Sequence, residues 1–255
     1  MEHHDYPILE FDPVPKAVIE PSEHHTKVPG MPERGVLCFF NNLVEEMARG
    51  GGAVEIHSLR SEMGRHPVYV VQRPAGSVAL MHPCVGAPNA VALTEELIAC
   101  GCSRIIACGG AGVLDSTLDA GRVLVPISAV RDEGTSYHYL PPSRTVDPSP
   151  AAVIAIEAAL RARNVPFMHV KTWTTDGVYR ETPARILRRK EEGCLTVEME
   201  AAALFALAQF RQVLLGQILY AGDDVSGDTW DSRDWQTHDV RGHLLELAIE
   251  AALGL

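Results

Sequence analysis

The sequence predicts an α/β protein, a single domain with a mixed β-sheet flanked by helices. Three observations carry this expectation. Short apolar runs rich in Val, Ile and Leu alternate with longer amphipathic segments. Glycine or proline punctuates most junctions, as chains that switch between strand and helix require. The 255 residues, 46% of them hydrophobic, suffice for one large core.

The elements follow in order. Residues 1–34 hold Pro7, Pro13, Pro15, Pro21, Pro29 and Pro32, with the pairs His3-His4 and His24-His25, and read as an extended arm ahead of one domain over 35–255. GVLCFF (35–40) reads as a buried strand, followed by a helical stretch over 43–49 that stops at Gly50-Gly51-Gly52. HPVYVVQ (66–72) and SVALMHP (77–83) read as strands of a hairpin about Pro74-Ala75-Gly76. Val91, Leu93, Leu97 and Ile98 give 87–100 helical spacing, ended by Gly101. RIIACGG (104–110) is a strand that empties into glycines.

RVLVPISAV (122–130) reads as a strand, 131–149 as a loop, 150–163 as a helix and 165–172 as a strand. A basic helix is expected over 182–192. LTVEME (195–200) passes into an Ala-rich helix ending near Phe210. VLLGQILYAG (213–222) is a long apolar strand, and 238–253 a closing helix. No internal repeat is visible.

Charge narrows the function. With 22 basic and 33 acidic residues the net charge is −11, which disfavours a nucleic-acid partner because phosphate backbones need a basic face. A small anion bound by a few placed groups is still compatible. No apolar run reaches the roughly 18 residues of a membrane span, and the start lacks the basic and apolar regions of a signal peptide. A cytoplasmic protein with no membrane partner is expected. The six cysteines sit mostly in apolar runs, as free thiols of a reducing compartment do. Cys100-Gly101-Cys102 has no second pair or nearby His, so no metal is expected.

Four strand ends carry chemistry, and in open α/β sheets sites form outside such ends. Cys108-Gly109-Gly110-Ala111-Gly112 reads as a turn whose backbone N–H groups can meet an anion, without the spacing of a dinucleotide fingerprint. Arg131-Asp132-Glu133-Gly134-Thr135-Ser136-Tyr137-His138 is a dense polar run after a strand. Glu198-Met199-Glu200 places two carboxylates where an apolar strand enters an apolar helix, a setting that demands partners or a shifted pKa. Asp223 and Asp224 end the run 213–222, where a general acid is poised.

Together these features resemble the nucleoside phosphorylase superfamily, which includes purine and uridine phosphorylases and the methylthioadenosine/S-adenosylhomocysteine nucleosidases. The strongest anchor is Val197-Glu198-Met199-Glu200-Ala201-Ala202, similar to the family's V-E-M-E-A-A, with Asp223 at the spacing of the family's catalytic Asp. Gly109-x-x-Gly112 resembles its anion loop. Arg131 to His138 resembles the uridine phosphorylase loop R-x-D-G-x-S-x-H, with Glu133 in the acid's place. Trp173-Thr174-Thr175-Asp176, followed by Tyr179, is similar to the segment that walls the base.

The resemblance implies roles. Glu200 would hold the ribose hydroxyls, with Met199 behind the sugar and Glu198 supporting. Trp173 would stack on the base beside Thr174 and Thr175, and Arg131 and His138 would line the substrate site. Asp223, or Asp224 if the register shifts by one, would protonate the departing base. Gly109, Gly110 and Gly112, with Arg60 or Arg65 reaching a neighbouring subunit, would hold inorganic phosphate as co-substrate. No metal or organic cofactor is implied. A homo-oligomer, a dimer or a trimer of dimers, is expected, and His3 or His4 is similar to a His that neighbours supply.

Two departures bear on the nucleophile. Ala107 stands where the family's phosphorylases carry a clamping Arg, and Asn41-Asn42 replaces the P-G-D-P-x-R loop. Losing a bidentate Arg costs an anion site heavily. Phosphorolysis, hydrolysis with Glu45 or Glu46 near the water, and non-catalytic nucleoside binding therefore stay open, with the 131–138 loop favouring phosphate. The base is open too. Arg180 and Arg185 suit a pyrimidine, but Glu181 or Thr182 stands where its Gln is expected, and Asp223 suits a purine.

Overall fold

The computed structural model describes residues 3–24, 27–234 and 238–255; His25 of the second His pair lies outside them. Among these residues ten strands form one sheet: β1 (Arg34–Cys38), β2 (Val54–Ser61), β3 (Gly64–Arg73), β4 (Gly76–Met81), β5 (Arg104–Val113), β6 (Val123–Asp132), β7 (Thr145–Val146), β8 (Phe167–Thr175), β9 (Cys194–Glu198) and β10 (Leu214–Asp224). The helices are α1 (Pro21–His24), α2 (Asn41–Arg49), α3 (Ala87–Cys100), α4 (Pro150–Ala162), α5 (Pro183–Glu191), α6 (Ala201–Arg211) and α7 (His238–Gly254). The mixed α/β class is as expected.

β5 is the hub. Its first half pairs in parallel with β1, its whole length in parallel with β10, and its tip antiparallel with β9 through Gly112↔Val197. The path β10-β6-β8-β9-β5 thus closes on itself, while β1, β4, β3 and β2 extend outward from β5. β8 and β9 are parallel to each other and run against β5 and β10. The carboxyl ends of the two strand sets therefore meet around Gly112 and Val197. That convergence positions the site.

The core follows the apolar periodicity. α3 and α6 pack on one face through residues such as Leu97, Leu204 and Phe205, and α2, α4 and α7 cover the other through Val44, Ile156 and Leu245. Burying such side chains contributes roughly 1.5–3 kcal/mol each. Residues 27–33 lead into β1, with Val28 N–H donating to the Cys100 carbonyl (3.0 Å). No described helix is long and apolar enough to cross a membrane.

Three expectations are corrected. The glycine segment 109–112 is the second half of β5, not a turn, because Leu219, Tyr220 and Ala221 continue the ladder beside it. The loop 131–149 contains β7, paired with Ala129 and Val130. β2 was not expected at all. A bulge between Glu55 and His57 breaks its alternation, so Val54, Ile56 and Leu59 do not keep one phase.

Two glycines test the packing. A Cβ on Gly216 would lie 2.8 Å from Ala152 Cβ and 3.3 Å from Ile156 Cδ1. Gly216→Ala is expected to lose about 1–3 kcal/mol in urea unfolding through overpacking. Gly242, in α7, has nothing within 4 Å of that position. Gly242→Ala is expected to gain about 0.5–1 kcal/mol from helix propensity. Losses of equal size at both positions would contradict the packing described.

Candidate functional site

The site begins where β9 turns into α6. The first N–H groups of a helix lack intrahelical partners. Glu198 supplies acceptors: its Oε2 takes the N–H groups of Glu200 (2.7 Å) and Ala201 (2.6 Å), and its Oε1 takes the Thr174 hydroxyl (2.6 Å). Thr174 Oγ1 in turn accepts the Ala202 N–H (3.0 Å). Both side chains are buried, so Thr174 positions Glu198 and the start of α6.

Glu200 follows, also buried, and reaches across the sheet edge to the Gly86 N–H (2.6 Å) just before α3. Gly86 has φ +92, a conformation that favours glycine and aims its N–H at Glu200. The N-termini of α3 and α6 thus face one carboxyl group. Glu133 lies close by, its Oε2 accepting the Ser136 N–H (2.9 Å) while its buried Oε1 has no partner. None of the three acids has an ion pair among the described residues. Burial pushes all three above the usual carboxylate range, and for Glu200 the Glu198 charge adds to it. Glu198 accepts three hydrogen bonds, which favour its ionised form. Met199 is half-buried between them.

A second acid cluster lies at the tip of β10. Asp223 faces the Gly112 backbone, its oxygens 3.6 and 3.8 Å from where a Cβ would stand, and accepts the Trp230 indole N–H (2.7 Å). Asp224 turns away. Its carboxylate is ion-paired with Arg233 and accepts the Ser226 N–H (2.8 Å), and its backbone bridges to Asp231. As a candidate acid Asp224 is corrected to a structural role. Glu181, not expected as an acid here, is pushed up to about 7, first by burial and then by the like charge of Asp223.

Other expected site residues are placed differently. Trp173 is fully buried among Leu114, Val130, Ile186, Cys194 and Val197, with its indole N–H on Asp132 (2.9 Å). A ring enclosed this way cannot stack on a base. Tyr179, almost fully exposed, is the aromatic that segment presents. Thr175 is buried and accepts the Gly177 N–H (3.2 Å). Arg131 spends its guanidinium on its own loop: Nε on Ser136 Oγ (2.9 Å), Nη1 on the Pro141 carbonyl and Ser143 Oγ (both 2.7 Å), and Nη2 on the Ser136 and Leu140 carbonyls (2.9 and 3.1 Å). It shapes the loop rather than meeting a ligand. His138 is exposed at the end of a 3-10 turn. Arg185 is drawn to Asp132 (3.2 Å) and the Trp173 ring, and Arg180 is exposed.

The anion segment lacks its expected cations. Ala107 is fully buried in β5. Phe39 N–H donates to the Cys108 carbonyl (3.0 Å), so strand alternation directs the Gly110 peptide to the same side, past the end of β1 and toward the start of α2. Arg60 is exposed on β2, four strand positions from β5 and about 19 Å away at 4.8 Å per strand. Arg65 is ion-paired with Glu55 (2.6 Å). His3 and His4 are both tied to Glu10 of their own arm (3.2 and 3.1 Å). A cavity of about 280 Å³ opens beside Asn41, Glu45, His66 and His82.

The sequence profile of the Phosphorylase superfamily matches residues 30–252. Guanosine phosphorylase of Halorubrum lacusprofundi is 25% identical over 177 residues, covering 67% of this chain and 73% of that protein. Uridine phosphorylase of Treponema pallidum is 28% identical over 187 residues, covering 68% and 71%. Among solved structures, AMP nucleosidase from Bacteroides thetaiotaomicron superposes with a TM-score of 0.72 at 22% identity over 88% of each chain. Uridine phosphorylase from Vibrio fischeri superposes at 0.70 and 20% identity over 90% of this chain and 94% of that one.

The two neighbouring aspartates separate by stability. Asp224→Asn removes a charged partner of Arg233 and is expected to cost about 1.5–3 kcal/mol in chemical unfolding. Asp223→Asn keeps an acceptor for Trp230 and is expected to stay within about 0.5 kcal/mol of the parent. The reverse order would show that Asp224 is the acid facing the site.

Proposed function

The chain belongs to the phosphorylase superfamily, and on that premise we propose that it cleaves the N-glycosidic bond of a nucleoside and passes the pentosyl group to inorganic phosphate. The observation that carries this reading is Glu200, a buried carboxyl group at the meeting point of two helix N-termini, free of any described ion pair. Breaking a glycosidic bond develops positive charge on the sugar, and a preorganised carboxylate beside the ring stabilises it. On ligand binding Glu200 exchanges the Gly86 N–H for the ribose hydroxyls, Glu198 holds its backbone in place, and Met199 backs the sugar. The base lies toward Gly112 and Asp223.

Phosphate is supported by the phosphorylase names of the two relatives and by the Gly110 peptide facing the start of α2, where backbone N–H groups suit an anion. Gly109 and Gly112 flank that peptide in β5, Gly109 buried against Phe39 and Leu219. Arg60 completes such a site only from a neighbouring subunit, which fits the expected homo-oligomer. Hydrolysis is the second reading. It is favoured by Ala107, which offers no guanidinium to an anion, and by the cavity beside Glu45 and His82.

A panel of purine and pyrimidine nucleosides, assayed with and without phosphate and with the product sugar identified, tests the reading. Ribose 1-phosphate formed only with phosphate is the expected result. Free ribose at equal rates in both conditions supports hydrolysis instead, and binding without turnover supports a sensor. Glu200→Gln is expected to lower turnover about 10²–10³-fold with little change in melting temperature.

A further inference from the structure

We propose that Trp230 supplies the aromatic face on which the base rests, while its indole N–H holds Asp223 toward the Gly112 backbone. The inference rests on the reading above that a nucleoside occupies this site. The indole N–H donates to Asp223 Oδ2 at 2.7 Å. Of that carboxyl group, Oδ1 stands 3.6 Å and Oδ2 3.8 Å from where a Gly112 Cβ would lie. An indole N–H lies in the plane of its ring, so this bond engages an edge and leaves both faces available. Trp230 is 63% exposed, and among the described residues no aromatic ring or guanidinium packs on it.

The ring is nonetheless held in place. Asp231, the next residue, closes an antiparallel bridge with Asp224 through two backbone hydrogen bonds of 2.8 and 3.0 Å. Arg233 pairs with the Asp224 carboxylate and donates to the Leu118 carbonyl (2.7 Å), so the segment is pinned to the tip of β10. A large apolar ring fixed against a site acid and left uncovered gains burial when a flat ligand stacks on it. Trp173 cannot take that part, being enclosed in its own cluster with its N–H on Asp132. An indole nitrogen can only donate, so its bond fixes Asp223 Oδ2 as an acceptor and sets the plane of the carboxyl group. Oδ1, the oxygen nearer Gly112, is then the one turned to the base. Trp230 is thus a binding residue for the base and a positioning residue for Asp223.

The test uses the full chain and compares Trp230→Phe, Trp230→Ala and Asp223→Ala on the nucleoside that the wild type turns over best. Trp230→Phe keeps a ring and removes the N–H, whereas Trp230→Ala removes both. Trp230→Phe is expected to lower kcat about 10–100-fold with KM within about threefold, because it frees Asp223 without removing the stack. Trp230→Ala is expected to lose as much in kcat and to raise KM about 5–100-fold, the size of one lost base–aromatic stack. In an Asp223→Ala background, Trp230→Phe is expected to change kcat less than about twofold, as coupling through one carboxyl group requires.

Indole fluorescence gives a readout independent of turnover. A stacked base quenches indole emission, so the nucleoside is expected to quench the part of the wild-type signal that Trp230→Phe removes. The emission left in that variant, from Trp173 and Trp235, is expected to stay unchanged on binding. An equal quench in Trp230→Phe, an unchanged KM in Trp230→Ala, or a Trp230→Phe loss that persists in the Asp223→Ala background overturns the proposal. A wild type that neither binds nor cleaves a nucleoside overturns the proposed function instead.

Discussion

The capping of α6 by Glu198 is the interaction on which the rest of the site depends. A helix must start where β9 ends, and its first N–H groups have no partners of their own. Glu198 takes two of them and the Thr174 hydroxyl as well, so one buried carboxylate fixes the strand end, the helix start and the neighbouring strand β8 together. With Glu198 committed to this work, Glu200 is left to accept from the backbone, the Gly86 N–H among its donors. A carboxyl group held so lightly in a buried setting exchanges that partner for a ligand's hydroxyls at low cost.

The sheet makes this possible. Because β5 pairs with β1, β10 and β9, two sets of parallel strands run toward each other and end at one place. Glu198 and Glu200 arrive from one set and Asp223 from the other, with the Gly112 backbone between them. Positive groups nearby are directed elsewhere: Arg131 into its loop, Arg233 onto Asp224, Arg189 onto Asp132 and Glu192. Backbone N–H groups are what meet Glu198 and Glu200 there, and burial raises the pKa of both.

Much of the fold was legible because its signals are local. Apolar runs marked β1, β4, β8 and β10, and the Glu198-Met199-Glu200 junction stood out as charge in an apolar context. What was not legible depends on partners distant in sequence. β2 was hidden by its bulge. The 109–112 glycines look like a turn until β10 is seen beside them. Trp173 and Arg131 carry the right chemistry in the right segments, yet one faces the Leu114–Ile186 cluster and the other its own loop carbonyls. Side-chain direction is set by neighbours that spacing does not reveal.

The central claim is that the carboxyl groups at the head of α6 seat a ribose. A crystal structure with a bound nucleoside tests it most directly. The account predicts Glu200 within hydrogen-bond distance of the 2′- and 3′-hydroxyls, its bond to Gly86 released, and the base lying over Gly112 beside Asp223. A nucleoside bound elsewhere, with Glu200 still joined to Gly86, would contradict it.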